Sequence, residues 1–98
     1  MSSLYILTRK DLRRSSSAVQ AGHALAEFLL RGPITEWNNG TLVYLSVRDL
    51  KELEEWCCEL NEKRIKWVGF REPDLDDELT AIAVVSDDKM FFSRLRLL

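Results

Sequence analysis

Two short runs, Leu4-Tyr5-Ile6-Leu7-Thr8 and Thr41-Leu42-Val43-Tyr44-Leu45-Ser46-Val47, are apolar almost without interruption and rich in strand-forming residues. A strand with that pattern has no face to spare for water, so each run calls for a sheet covered on both sides. The segment between them is long and carries helical spacing, which makes the two strands parallel neighbours joined by a helical crossover. That constraint alone selects the α/β class.

The rest of the chain fits around it. Arg48-Asp49-Leu50 opens a second helix with Asp49 near its N-terminus, and Leu50, Leu53, Trp56, Cys57 and Leu60 follow at helical spacing. Glu52, Glu54, Glu55, Glu59 and Glu62 fall mainly on the other side and keep that helix soluble. Residues 65–70 and 79–85 read as two further strands whose short link allows an antiparallel pair. Met90, Phe91, Phe92, Leu95, Leu97 and Leu98 suit a short terminal helix or turn that closes the core. The expected architecture is a three-layer sandwich in which helices cover both faces of a mixed four-stranded sheet, in the order β-α-β-α-β-β-α. At 98 residues the chain makes a single domain over 1–98, with one modest core.

The first helix holds the only histidine. Taken at about 100° per residue, residues 15–30 place Val19, Gly22, Leu25, Ala26, Leu29 and Leu30 around a wide apolar arc. Ser16, Gln20, His23 and Glu27 form one narrow polar stripe. Such a stripe is either a rim that points to water or the wall of a site, and the small residues Ala18, Ala21, Gly22 and Ala24 around it allow a close approach by backbone or ligand. The plainer reading of His23 is a core-edge imidazole bonded to a backbone carbonyl. Before the helix, Asp11-Leu12-Arg13-Arg14-Ser15-Ser16-Ser17 offers serines as helix caps. It also brings basic residues to a strand end and a helix N-terminus, an arrangement that can hold a phosphate, although the glycines of a nucleotide-binding loop are absent. The helix should end at Arg31-Gly32-Pro33, and Asn38-Asn39-Gly40 marks a turn. Trp37, between them, is a lid over a pocket or, more commonly, a staple onto the core.

Composition narrows the function. A formal charge of -2 gives no general attraction to nucleic acid, so an RNA contact has to come from a local patch such as Arg9, Lys10, Arg13 and Arg14, or Lys63, Arg64 and Lys66, or Arg94 and Arg96. Cys57 and Cys58 are adjacent, which prevents an ordinary disulfide between them and does not match zinc-ligand spacing; no metal and no cofactor are expected. Free thiols and the lack of a signal or membrane-spanning segment point to a cytoplasmic protein without membrane contact. Between the last two strands, Arg71-Glu72-Pro73-Asp74-Leu75-Asp76-Asp77-Glu78 carries five carboxylates in eight residues. A solvated loop is the common reading of such a run. It nevertheless leaves from a strand end, where open α/β sheets build sites. Arg71, amid that negative charge, suggests a fixed ion pair.

Ala18-Val19-Gln20-Ala21-Gly22-His23-Ala24, placed after a first strand and a basic stretch, resembles the A-x-Q-x-x-H-A signature of the type-2 peptidyl-tRNA hydrolases. The similarity in element order runs over nearly the whole chain. It implies a mixed four-stranded sheet flanked by helices, often in a homodimer, and hydrolysis of the ester that joins a peptide to the 3′ end of tRNA, without a metal. By that resemblance Gln20 and His23 orient substrate or water, and Thr80 and a carboxylate from Glu72 or Asp74 line the same cleft; Arg13, Arg14, Ser16 and Arg71 are the candidate substrate contacts, with Arg13 or Arg14 reaching in from the preceding turn. Two departures stand out. Ser16 occupies the position of the family's lysine, four residues before the glutamine, and residues 70–76 replace its aspartate and glycine-arginine-threonine loop. The alternative is accordingly a non-catalytic relative that binds a protein or small molecule through the same cleft.

Overall fold

The computed structural model describes residues 2–98, with the side chains of Arg14 and Ser15 left out of the description. Strand β1 (Ser3–Arg9) is buried along its whole length, as its continuous apolarity requires. It pairs in parallel with β2 (Leu42–Val47), from Leu4 opposite Leu42 to Arg9 opposite Val47. On its other side lies β4 (Glu78–Ser86), antiparallel, which in turn pairs antiparallel with β3 (Trp67–Glu72). A fifth strand, β5 (Arg96–Leu97), adds to the outer edge of β2, so the sheet order is β3-β4-β1-β2-β5. The sheet is therefore mixed, but five-stranded rather than four-stranded, and the chain ends on a strand rather than a helix. Two residues are too few to show an alternation, so β5 leaves no signal in the sequence.

Among the described residues there are three helices, α1 (Arg14–Arg31), α2 (Leu50–Glu62) and the single turn α3 (Lys89–Phe92). Alternation along β1 divides the core between them. Leu4 and Ile6 pack with Ala21, Ala24 and Phe28 of α1 and with Ala81 and Ala83 of β4. Tyr5 and Leu7 pack on the other face with Leu53, Trp56 and Leu60 of α2, and with Ile82, Val84 and Phe92. Trp37 is a staple on the α1 side: it meets Phe28 edge-on at 6.2 Å and donates its indole N–H to Thr41 O at 2.8 Å.

Helix α1 is turned differently from its apolar count. Its inward face is Ser17, Gln20, Ala21, Ala24 and Phe28, whereas Val19, Leu29 and Leu30 of the expected apolar arc are more than half exposed. Alanines on α1 meet alanines on β4, so close approach to the sheet decides which face is buried. The serines do not cap this helix either. It begins at Arg14 with Arg13 as N-cap and no side-chain cap bond, and Ser17 instead donates its hydroxyl to Arg9 O at 2.8 Å. At the other end Gly32 caps the helix as expected, and only glycine fits there, since a Cβ would stand 2.5 Å from Phe28 O. Helix α2 is capped by Asp49, which accepts from Glu52 N at 2.9 Å.

Candidate functional site

The pairing of β3 with β4 contains one irregularity, and it sets the site. Phe70 opposes Ala81 and Arg71 opposes Leu79, which leaves Thr80 as an extra residue on β4. Strict alternation would send Thr80 to the α2 face together with Ile82 and Val84. The bulge turns it instead towards α1 and puts Leu79 in the α2-side core.

There the Thr80 hydroxyl, fully buried, donates to Gln20 Oε1 at 2.6 Å, with a longer contact of 3.3 Å to Phe70 O. Gln20, itself 4% exposed, passes its amide N–H to Glu72 Oε1 at 2.8 Å. The amide orientation follows from its neighbours: reversed, Gln20 would set an oxygen against a carboxylate. Three segments far apart in sequence thus form one chain of donors and acceptors, from a β-bulge through a helix to the last residue of β3.

A cleft of about 320 Å³ opens beside this chain, between the start of α1 and the β3–β4 connection. Arg13, Ser16 and Gln20 line it from one side, Glu72, Asp74 and Leu75 from the other, and Leu12 closes it. The connection is a single 3-10 turn, Pro73–Leu75, followed by Asp76 and Asp77 with φ of 53° and 58°. Two successive left-handed residues reverse the chain tightly, and aspartate tolerates that conformation better than most side chains. The run of carboxylates is thus both a tight turn and one wall of the cleft.

The remaining expected residues lie apart. His23 is exposed and stacks its ring on Phe70, with centroids 4.3 Å apart at 10°, outside the lining of the cleft. Arg71 is exposed and donates to the carbonyl of Asp77 at 3.3 Å, not to a carboxylate, so the expected ion pair does not form on it. The side chain of Arg14 lies outside the described residues. The fixed ion pair forms on Arg9, 6% exposed, which holds Asp11 through Nε and Nη2 at 3.0 and 2.8 Å and Glu78 through Nη1 at 2.7 Å. Nη1 also donates to Leu79 O at 3.1 Å, next to the bulge. The bidentate bond from Arg9 holds the Asp11 carboxyl below its usual range against the opposing effect of burial, and in turn raises the guanidinium above its own. Arg9 is occupied in tying the end of β1 to the start of β4 and is not available to a substrate.

Sequence reasoning missed Leu12 and Leu75 as walls of the cleft and Phe70 as the support of His23. Their only signal is an apolar residue inside, or at the edge of, a charged stretch. Among the described residues no group of three or more His, Cys, Asp or Glu side chains is placed to hold a metal ion, and no helix is long and apolar enough to cross a membrane. No family model and no curated protein matches the chain.

Proposed function

We propose that this protein hydrolyses an acyl ester at the cleft lined by Gln20 and Glu72, behind which Thr80 is buried, with the ester of peptidyl-tRNA as its substrate, in a reducing cytoplasmic setting. The observation that carries the reading is the buried chain Thr80→Gln20→Glu72 beside an open cavity. Apolar residues would fill that position without the desolvation that buried polar groups bring, and a bulge is needed to aim Thr80 there. The resemblance of residues 18–24 to the type-2 peptidyl-tRNA hydrolases supplies the substrate class.

Ester hydrolysis needs a positioned water, a group to take its proton and a donor for the developing oxyanion. In this reading Glu72, fixed by the Gln20 amide, takes the proton from water. Arg13, on the opposite wall, supplies positive charge to the carbonyl oxygen or to the terminal phosphate. Thr80 is a positioning residue, since it acts by holding the Gln20 carbonyl. His23, stacked on Phe70 outside the cleft lining, offers a flat ring to the terminal base.

The test is release of labelled acyl-amino acid from acyl-aminoacyl-tRNA at low and moderate salt. Glu72→Gln is expected to lower turnover by roughly 10²-fold or more, as for loss of a general base, and Gln20→Ala by more than about tenfold with the fold intact. No turnover at any salt by folded wild-type protein would overturn the proposal. A second reading, binding without turnover, draws on Ser16 in the place of the family's lysine and on two carboxylates facing one described cation, Arg13, across the cleft. Ser16→Lys separates the two: added charge raises hydrolysis in a weakened enzyme and leaves a pure binder inactive.

A further inference from the structure

The crossovers of this fold diverge at one place. β1 and β2 are parallel neighbours, yet α1 leaves β1 for one face of the sheet and α2 leaves β2 for the other. The carboxyl ends of adjacent strands whose connections leave to opposite faces are a position where open α/β sheets bind ligands. Here a cavity of about 500 Å³ runs from those ends along the α1 side of β2, lined by Leu12, Ala18, Tyr44, Leu97 and Leu98 together with Lys10. Lys10 and Ser46 also line a second depression of about 160 Å³, together with Arg48, Arg94, Leu95 and Arg96 and with the Glu52 carboxylate, which Arg48 neutralises. The two cavities are therefore neighbours that share Lys10 and Ser46, the larger mainly apolar and the smaller bearing four cations against one carboxylate.

The basic depression is not background, since the chain as a whole carries a charge of -2. Arg48 is paired with Glu52 and Arg94 with Glu59, each at 3.2 Å. Lys10 and Arg96 have no ion-pair partner among the described residues. The Lys10 backbone is fixed by its N–H bond to Val47 O at 2.8 Å, and Arg96 is held opposite Ser46 in the β2–β5 ladder. Two unpaired cations on fixed backbone next to an apolar pocket call for an anion with an organic body.

We infer that the crevice at the ends of β1 and β2 binds a phosphate monoester of nucleoside size, its phosphate between Lys10 and Arg96 and its organic part on Tyr44, Leu12 and Leu97. The site is separate from the Gln20 cleft. Ser17 and Ala18 line one and Ser16 and Gln20 the other, on two flanks of the same helical turn, with Leu12 the one residue common to both linings. The observations that carry it are separate from those at the Gln20 cleft, and this inference does not rest on the hydrolase reading.

The experiment is a titration of isotope-labelled protein followed by backbone amide shifts, with adenosine 5′-monophosphate, inorganic phosphate, adenosine and a short RNA without a terminal phosphate as separate probes. The monophosphate is expected to give saturable shifts at Lys10, Ser46 and Leu97 and none at Glu72 or Thr80, with phosphate alone and adenosine alone each binding at least tenfold more weakly. Lys10→Ala and Arg96→Ala, both at exposed positions, should each weaken binding at least tenfold without moving the unfolding midpoint. Ala18→Phe, which fills the cavity from an exposed helical position and removes no charge, should block it as well. Absence of saturable shifts, shifts centred on Gln20 and Thr80, or unchanged affinity in the two charge variants would overturn the inference. Binding of the RNA in preference to the monophosphate would also overturn it, in favour of a surface that tracks a strand backbone.

Discussion

Gln20 and Thr80 satisfy each other inside the protein, so removal of one partner tests the pair more sharply than removal of both. Thr80→Val keeps the volume and deletes the donor, which leaves Gln20 Oε1 buried without a partner; the expected loss is about 1–3 kcal/mol. Adding Gln20→Leu should recover part of that loss, read as coupling in a double-mutant cycle of urea midpoints. Strict additivity would mean that the two side chains do not depend on each other. The cysteines offer a second contrast at this scale. Burial pushes the Cys57 thiol up to about 12, with the neighbouring Cys58 adding to the shift, while Cys58 itself is exposed. Iodoacetamide at neutral pH is expected to modify Cys58 first and Cys57 only on unfolding, seen as one fast adduct by mass spectrometry. Gln20, Glu72 and Thr80 are visible in the sequence as candidates. Their contact is not, because it depends on a one-residue bulge that no local pattern records, and the same is true of the Phe70 ring that carries His23.

At the scale of elements, the orientation of α1 is the clearest disagreement between pattern and packing. Periodicity weighs hydrophobicity, and by that measure Val19, Leu29 and Leu30 belong inside. The sheet surface opposite is Ala81 and Ala83, which accepts a helix close to its backbone and selects Ala21 and Ala24. Ala24→Leu should therefore destabilise by about 1–3 kcal/mol through overpacking, whereas Leu29→Ser should stay within about 0.5 kcal/mol. The reverse order in thermal melts would place the other face of α1 against the sheet. Strands β1, β2 and β4 are legible within one or two residues because each is a near-continuous apolar run; β1 and β4 are covered on both faces, whereas β2, expected to be, buries only Leu45 and Val47, since no helix among the described residues fully covers the α1 side of its Tyr44 and Ser46. The clamp between β1 and β4 through Arg9, Asp11 and Glu78 is long-range and leaves no such trace. It does leave a pH signature. Asp11 titrates lower folded than unfolded, so its contribution is complete above the ordinary carboxylate range and is lost as pH falls through the depressed value. Asp11→Asn should flatten the acid limb of a stability profile measured between about pH 2 and 6, around the unperturbed value near 3.9, and an unchanged limb would show that the clamp does not stabilise the fold.

For the whole molecule, one sheet separates two cores, and the question is whether they unfold together. The α2 side is closed by the chain's last helix: Phe92 stacks on Tyr5 at 4.1 Å and on Trp56 at 5.6 Å, and Phe91 meets Trp56 edge-on at 5.0 Å. That cluster joins β1, α2 and α3, so it ties residues near both ends of the chain to the middle. Phe92, 2% exposed, is the largest of the fully enclosed side chains among the described residues. Phe92→Ala should cost about 3–5 kcal/mol, a large share of the roughly 5–15 kcal/mol available to a domain of this size. Every strand that loses support on the α2 face also carries side chains on the α1 face, as Tyr5 and Ile6 do on β1. The loss is therefore expected to lower a single cooperative transition, with far-UV circular dichroism and tryptophan fluorescence coincident in both wild type and variant. Trp37 reports on the α1 side and Trp56 on the α2 side, so a biphasic fluorescence change in Phe92→Ala would show that the two cores separate and that the sheet does not couple them.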